Sequence, residues 1–127
     1  MRRRTGWVVS LIAVSWPWSA AWPHHSIGGE FETDHVSVGG TVKELRLINP
    51  HAYIVLEAEG PDGAKEQWTL TMGPATKLVR GSGWTPRTLE AGDRVTATGR
   101  RARRGLGMYV VELVTADGVF LIRELQE

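Results

Sequence analysis

The chain contains no cysteine among its 127 residues. This absence excludes disulfide bonds, thiolate metal sites, a cysteine nucleophile and a lipid-modified amino-terminal cysteine. The stability of the folded protein must therefore come from packing, without covalent cross-links. Any metal site would depend on imidazole and carboxylate ligands.

Long apolar runs are also missing after the first 21 residues. The start of the chain combines the basic residues Arg2 to Arg4, an apolar run from Trp7 to Val14, and the small residues Ser19 to Ala21, which is the order of an export signal. The apolar run is too short to span a bilayer. We therefore predict a signal peptide at residues 1–21 and a periplasmic or secreted protein. A membrane anchor would require the signal to stay uncleaved.

The mass of the protein recovered from the cell envelope tests this prediction. Because signal cleavage follows small residues, we expect the mature chain to begin within about two residues of Trp22. Intact-mass spectrometry measures the start directly. A mass that still includes Met1 to Ala21 would contradict the prediction.

A basic surface is lacking too. Cleavage after Ala21 removes three of the fifteen Lys and Arg residues and none of the fourteen Asp and Glu residues, which leaves a net charge of −2. A net acidic chain has no overall field that attracts nucleic acid or anionic lipid. Binding of single strands also needs stacking aromatics interleaved with basic residues, and few aromatics lie near the arginines of this chain. We therefore predict no nucleic-acid partner and no membrane span after signal cleavage.

The mature chain suffices for one domain, and its apolar residues mostly alternate with polar ones, as in half-buried strands. In the first strand the apolar residues change face, so we expect a bulge or bend near residues 39–40 or 43–44. The residues of the first face are Val36, Val38, Gly40 and Val42, and those of the second are Leu45 and Leu47.

Turn residues divide the rest of the chain into short elements. We predict strands over 51–59, 65–72, 94–100, about 108–114 and 119–122, with a short helix over 75–80. This order predicts an all-β fold with one short helix, a small five- to six-stranded Greek-key barrel of the oligonucleotide/oligosaccharide-binding (OB) type. A β-sandwich is the alternative. We assign residues 22–35 to an extended amino-terminal segment and residues 36–127 to the OB-like β-barrel domain.

Two tryptophans of the predicted barrel have two interpretations. Trp68 and Trp84 are aromatic side chains of the kind that line sugar pockets. A tryptophan on the apolar face of a strand is more often part of the core. We therefore predict that Trp68 packs in the barrel interior with Ile54, Leu56 and Val95.

Several short motifs occur together in a fixed order. They are His24-His25-Ser26, Glu30-Phe31, Gly40-Thr41-Val42, Asn49-Pro50-His51-Ala52-Tyr53, Trp68, Gly83-Trp84-Thr85, Leu89 and Gly92-Asp93-Arg94-Val95. On these motifs the mature chain resembles an uncharacterised family of small exported bacterial proteins, domain of unknown function 6152. The resemblance implies an exported, barrel-like single domain with no established activity. The chain departs from the family pattern at Ile27, where an aromatic is common, and in the inserted Trp22-Pro23.

Histidines and carboxylates near the amino terminus supply the ligand types of a copper or zinc site. Adjacent residues of an extended segment point to opposite sides, so His24 and His25 would not share one ion. We therefore predict a metal site made by one of them together with His51, with Glu30 and Glu32 as weaker ligands. The alternative is that these histidines are ordinary polar residues of an amino-terminal strand.

Two loops of the predicted barrel are candidates for a small anionic ligand. In an OB-type barrel the loop between strands one and two and the loop between strands four and five flank the same binding face. Guanidinium groups bind phosphate or carboxylate in bidentate fashion. The candidate residues are Asn49 and His51 in the first loop and Arg100, Arg101, Arg103 and Arg104 in the second. The alternatives are turn chemistry in the first loop and a solvated charged hairpin in the second.

Catalytic motifs are weak. Ser26 follows His25 directly, but no nucleophile-elbow glycines surround it. Glu30 and Glu32 place two carboxylates on one strand face, as in the carboxylate pairs of some hydrolases. Any strand with alternating acidic residues would contain such a pair. We therefore predict no catalytic residue and an exported small binding protein for a divalent metal ion or a small anionic ligand. The alternative is an envelope protein–protein interaction module without a small ligand.

Overall fold

The structure is a computed structural model that describes residues 27–124. The predicted signal peptide and the histidines His24 and His25 lie outside the described residues. The elements are α1 (Ile27–Glu30), β1 (Phe31–Arg46), β2 (Tyr53–Glu59), β3 (Lys65–Thr71), α2 (Ala75–Ser82), β4 (Arg94–Ala102), β5 (Gly107–Thr115) and β6 (Phe120–Arg123). Within residues 27–124, no helix is long and apolar enough to cross a membrane.

The strands form one sheet in the order β3-β2-β1-β4-β5-β6, and β3 also pairs with β5. All neighbours in this order are antiparallel, whereas the β3–β5 pairing is parallel and joins 69–71 to 107–109. This last pairing closes the sheet into a barrel, with α2 in the connection between β3 and β4. A bent first strand, a three-stranded meander and closure through the fifth strand are the arrangement of an OB-type Greek-key barrel. The predicted fold class is confirmed.

The long strand β1 belongs to both halves of the barrel. Its first part pairs with β4 as far as Thr41, and its last part pairs with β2 from Thr41 to Arg46. The register with β2 shifts between Val42 and Glu44. This shift confirms the bulge predicted near residues 43–44, and it moves Leu45 onto the other phase of the strand.

The core contains the inward residues of all the long strands together with α2 and the segment after it. The largest fully buried side chains are Ile54, Leu56, Leu70, Met72, Met108, Leu113, Val42 and Val110. Trp68 and Trp84 are also buried, with 8% and 3% of their surface exposed. The predicted core position of Trp68 is therefore confirmed.

The start of the described chain differs from the expected extended segment. Residues 27–30 form a helical turn, and β1 begins at Phe31, earlier than the predicted first strand at Val36. Phe31 pairs with Ala102 and is buried. Strand β1 begins early because the Phe31 ring packs on Tyr109, far along the chain. No local sequence pattern indicates this contact.

Candidate functional site

Three rings attach the start of β1 to the barrel. The ring centroids of Phe31 and Tyr109 are 5.8 Å apart, and those of Tyr109 and His51 are 6.3 Å apart, both in edge-to-face geometry. Aromatic pairs favour this arrangement at such distances. The three residues, called the amino-terminal anchor below, therefore place the start of β1 beside the β1–β2 loop that carries His51.

Two arginines of the second predicted loop hold the same segment. Arg100 donates from Nε to the backbone oxygen of Glu32 at 3.0 Å, and Arg103 approaches the Glu32 carboxylate at 3.1 Å. The backbone N–H of Arg103 also donates to the backbone oxygen of Glu30 at 3.0 Å. Exposed ion pairs contribute little stability by themselves. The three contacts together, however, hold residues 30–32 against the end of β4. Arg103 therefore binds the acidic segment of its own chain.

His51 is oriented by a backbone carbonyl. Its Nδ1 lies 3.1 Å from the oxygen of Met72. Because a carbonyl oxygen only accepts hydrogen bonds, Nδ1 carries the hydrogen and donates it. In the neutral ring Nε2 then has the free lone pair. Histidines that bind metal usually have this second hydrogen bond, which fixes the tautomer and the direction of the ring.

Asn49 has a structural role. Its side-chain oxygen accepts a hydrogen bond from the backbone N–H of Thr76 at 3.4 Å, in the first turn of α2. Pro74, at the N-cap of this helix, makes no side-chain capping bond, so Asn49 satisfies one of the free N–H groups there. The oxygen of Asn49 is thus directed to the first turn of α2.

Tyr109 remains a neutral phenol at neutral pH. Burial of the ring raises the pKa of its hydroxyl, and the negative charge of Glu124 raises it further, while Arg100 acts in the opposite direction. The hydroxyl therefore keeps its proton and can donate a hydrogen bond at the amino-terminal anchor.

The described residues alone do not form a metal centre. Between residues 27 and 124, no group of three or more His, Asp or Glu side chains is placed to hold a metal ion. Of the predicted ligands in this range, His51 belongs to the amino-terminal anchor, Glu32 is paired with Arg103, and Glu30 is the last residue of α1. His35 is two strands from Tyr109, paired with Arg100 of the intervening strand β4. It lines an outer groove of about 540 Å³.

A second recess, called the barrel mouth below, opens beside the β2–β3 turn. It has a volume of about 460 Å³ and is lined by Ser37, Val38, Glu59, Gly60, Pro61, Glu66, Trp68, Arg101 and Leu106. The guanidinium of Arg101 lies over the Trp68 ring, 6.0 Å from its centroid. The indole Nε1 of Trp68 donates to the carboxylate of Glu66 at 3.3 Å.

The second predicted loop therefore does not form one arginine cluster. Arg101 lies at the barrel mouth, Arg103 holds Glu32, and Arg104 is exposed in the β4–β5 turn. Arg100 and Arg101 diverge because successive residues of a strand point to opposite faces. Sequence reasoning did not identify Glu66 and Leu106 as neighbours of Arg101. One signal was available, since Arg101 continues the inward phase of β4, whose inward residues are Val95, Ala97 and Gly99.

Comparison with known proteins gave a family and similar solved structures. A family model described as "Family of unknown function (DUF6152)" matches residues 11–109. No curated protein matches the chain. Among solved structures, the dimeric N-terminal domain of PriB protein from Thermoanaerobacter tencongensis is 20% identical, with a TM-score of 0.46. The similarity covers 67% of this chain and 98% of that domain.

Proposed function

We propose that this chain, which belongs to the DUF6152 family of unknown function, is an exported small binding protein that holds a divalent copper or zinc ion. The ion would bind to His51 and to one of the two amino-terminal histidines, His24 or His25. The observation that carries this proposal is the hydrogen bond between His51 Nδ1 and the Met72 carbonyl. It leaves Nε2 as the coordinating atom, in the orientation that metal-bound imidazoles use.

The amino-terminal anchor supports the pairing of these histidines. Phe31 follows His24 by seven residues and His25 by six. With residues 27–30 helical, a segment of this length still reaches roughly 13 to 16 Å, and two ring contacts connect Phe31 to His51. Either amino-terminal histidine is therefore within reach of the His51 ring. Two imidazoles would leave the remaining positions of a four-coordinate ion to water.

Removal of the His51 ring tests the proposal. We expect the tag-free mature protein to bind one Cu(II) or Zn(II) ion with micromolar or tighter affinity, about −8 kcal/mol, and His51→Ala to abolish this binding. The His24→Ala/His25→Ala double variant should also lose it. Isothermal titration calorimetry measures the stoichiometry and affinity of each protein.

Two control variants distinguish the loss of a metal ligand from general effects of a substitution. His35→Ala removes an imidazole that lines the outer groove and is not one of the three anchor rings, so binding should be retained. Arg104→Ala, which removes an exposed guanidinium of the β4–β5 turn, should also retain it, because a guanidinium has no lone pair to coordinate a metal. If the unmodified protein shows no saturable binding, or if His35→Ala loses as much affinity as His51→Ala, the proposal is wrong. Absence of binding would leave the envelope interaction module as the alternative.

A further inference from the structure

We propose that the barrel mouth is a second binding site, distinct from the metal site, and that it takes a small molecule with one carboxylate and an apolar body. Arg101 would bind the carboxylate, and the apolar wall formed by Val38, Pro61 and Leu106 would hold the body.

The cation of the site is held in place by an aromatic ring. Arg101 lies on the inward phase of β4, and its guanidinium lies over the Trp68 ring at 6.0 Å from the centroid. Among the described residues, no carboxylate is within ion-pairing distance of this guanidinium, and the side chain is exposed. Its N–H groups are therefore open to a bidentate anionic partner.

The wall of the mouth suits an apolar group. Leu106 is 36% exposed and shares the recess with the apolar residues Val38 and Pro61. Covering such a side chain removes apolar surface from water, which is favourable. Most small-molecule sites combine an apolar lining with a few placed polar groups, and the barrel mouth has this combination.

Two glutamates restrict the kind of ligand. Glu66 is fixed on one side by the indole N–H of Trp68, and Glu59 lies on the same rim. Their negative charges repel a phosphate or another multiply charged anion more strongly than a single carboxylate. A sugar is disfavoured as well. The Trp68 ring is only 8% exposed beneath Arg101, so it offers no open face for stacking.

Octanoate is a suitable probe, and the Trp68 indole is a direct reporter. In two-dimensional NMR spectra of the mature protein, Trp68→Phe identifies the Nε1–H signal of Trp68. With EDTA present to exclude metal effects, we expect octanoate to shift this signal saturably, with a Kd of about millimolar. Arg101→Gln should weaken binding at least about tenfold, whereas Arg104→Gln, which removes an exposed guanidinium of the same turn, should leave it unchanged.

A second variant guards against a folding defect in the first. Leu106→Glu places a charge on the exposed loop side of the wall, where it should weaken octanoate binding by repulsion. Three results would overturn the proposal: no saturable shift with octanoate, equal binding by Arg101→Gln and the unmodified protein, or equal binding of octanol and octanoate. None of these results depends on bound metal, so this experiment tests the barrel-mouth proposal independently of the metal-site proposal.

Discussion

Replacing Trp68 with alanine is expected to lower the free energy of unfolding by roughly 3 to 5 kcal/mol. The ring is 8% exposed and belongs to the main apolar cluster, and its register partner on β2 is the fully buried Leu56. The change removes a large buried side chain and leaves a cavity that the closed barrel cannot easily collapse. A small domain is stable by only about 5 to 15 kcal/mol, so the loss is a large share of the total.

Urea unfolding followed by far-UV circular dichroism measures this loss. Trp68→Phe is the matched control, because it keeps an aromatic ring and should cost less than the alanine variant. Both variants lose the hydrogen bond to Glu66, so the difference between them reports ring packing. An unfolding midpoint that stays the same in Trp68→Ala would show that the ring is not part of the core.

Gly99→Ala is expected to destabilise the barrel by about 3 kcal/mol, at the upper end of the cost of overpacking. A Cβ at position 99 would overlap the backbone carbonyl of Tyr109 on the neighbouring strand β5. The register between β4 and β5 shifts at this point, between Thr98 and Gly99. The obstructing atom belongs to the backbone ladder, so relief requires strand pairs to separate.

Gly39→Ala is the control for this variant. Gly39 also lies in a strand, but a Cβ there would meet only the Thr96 hydroxyl oxygen at 3.4 Å and the Val95 carbonyl oxygen at 3.8 Å. Loss of glycine flexibility in the unfolded chain should make this change neutral or slightly stabilising, by about 0.4 to 1 kcal/mol. Equal urea midpoints for Gly99→Ala and Gly39→Ala would contradict the predicted overlap.

The elements of the barrel could be predicted because each depends on local patterns. Alternating residues indicated the strands, and the change of apolar phase after Val42 indicated the bulge that the structure has before Glu44. Gly83 has a positive φ of 71° at the end of α2, a conformation that glycine adopts easily. The helix therefore runs through Gly81 and Ser82, two residues beyond its predicted end at Arg80, and ends at Gly83.

The candidate sites were harder to predict because they depend on contacts between distant segments. Phe31 packs on Tyr109, and His51 bonds to the carbonyl of Met72, and neither partner is marked by spacing. The arginines illustrate the same difficulty. Their proximity in sequence suggested one cluster, but the strand alternation of β4 separates Arg100 from Arg101. Burial and partners, which only the fold supplies, decide what each arginine does.

The short parallel ladder between β3 and β5 affects the order in which the chain can fold. The hairpins β1–β2 and β2–β3 join near neighbours in sequence, so they form at a small entropic cost of loop closure. The ladder joins 69–71 to 107–109 across α2 and β4, and contacts of such high sequence separation form slowly. We therefore expect closure to come late in folding. Until then the apolar side of the meander is open to other chains, and this interval is when a newly made molecule is most prone to aggregate.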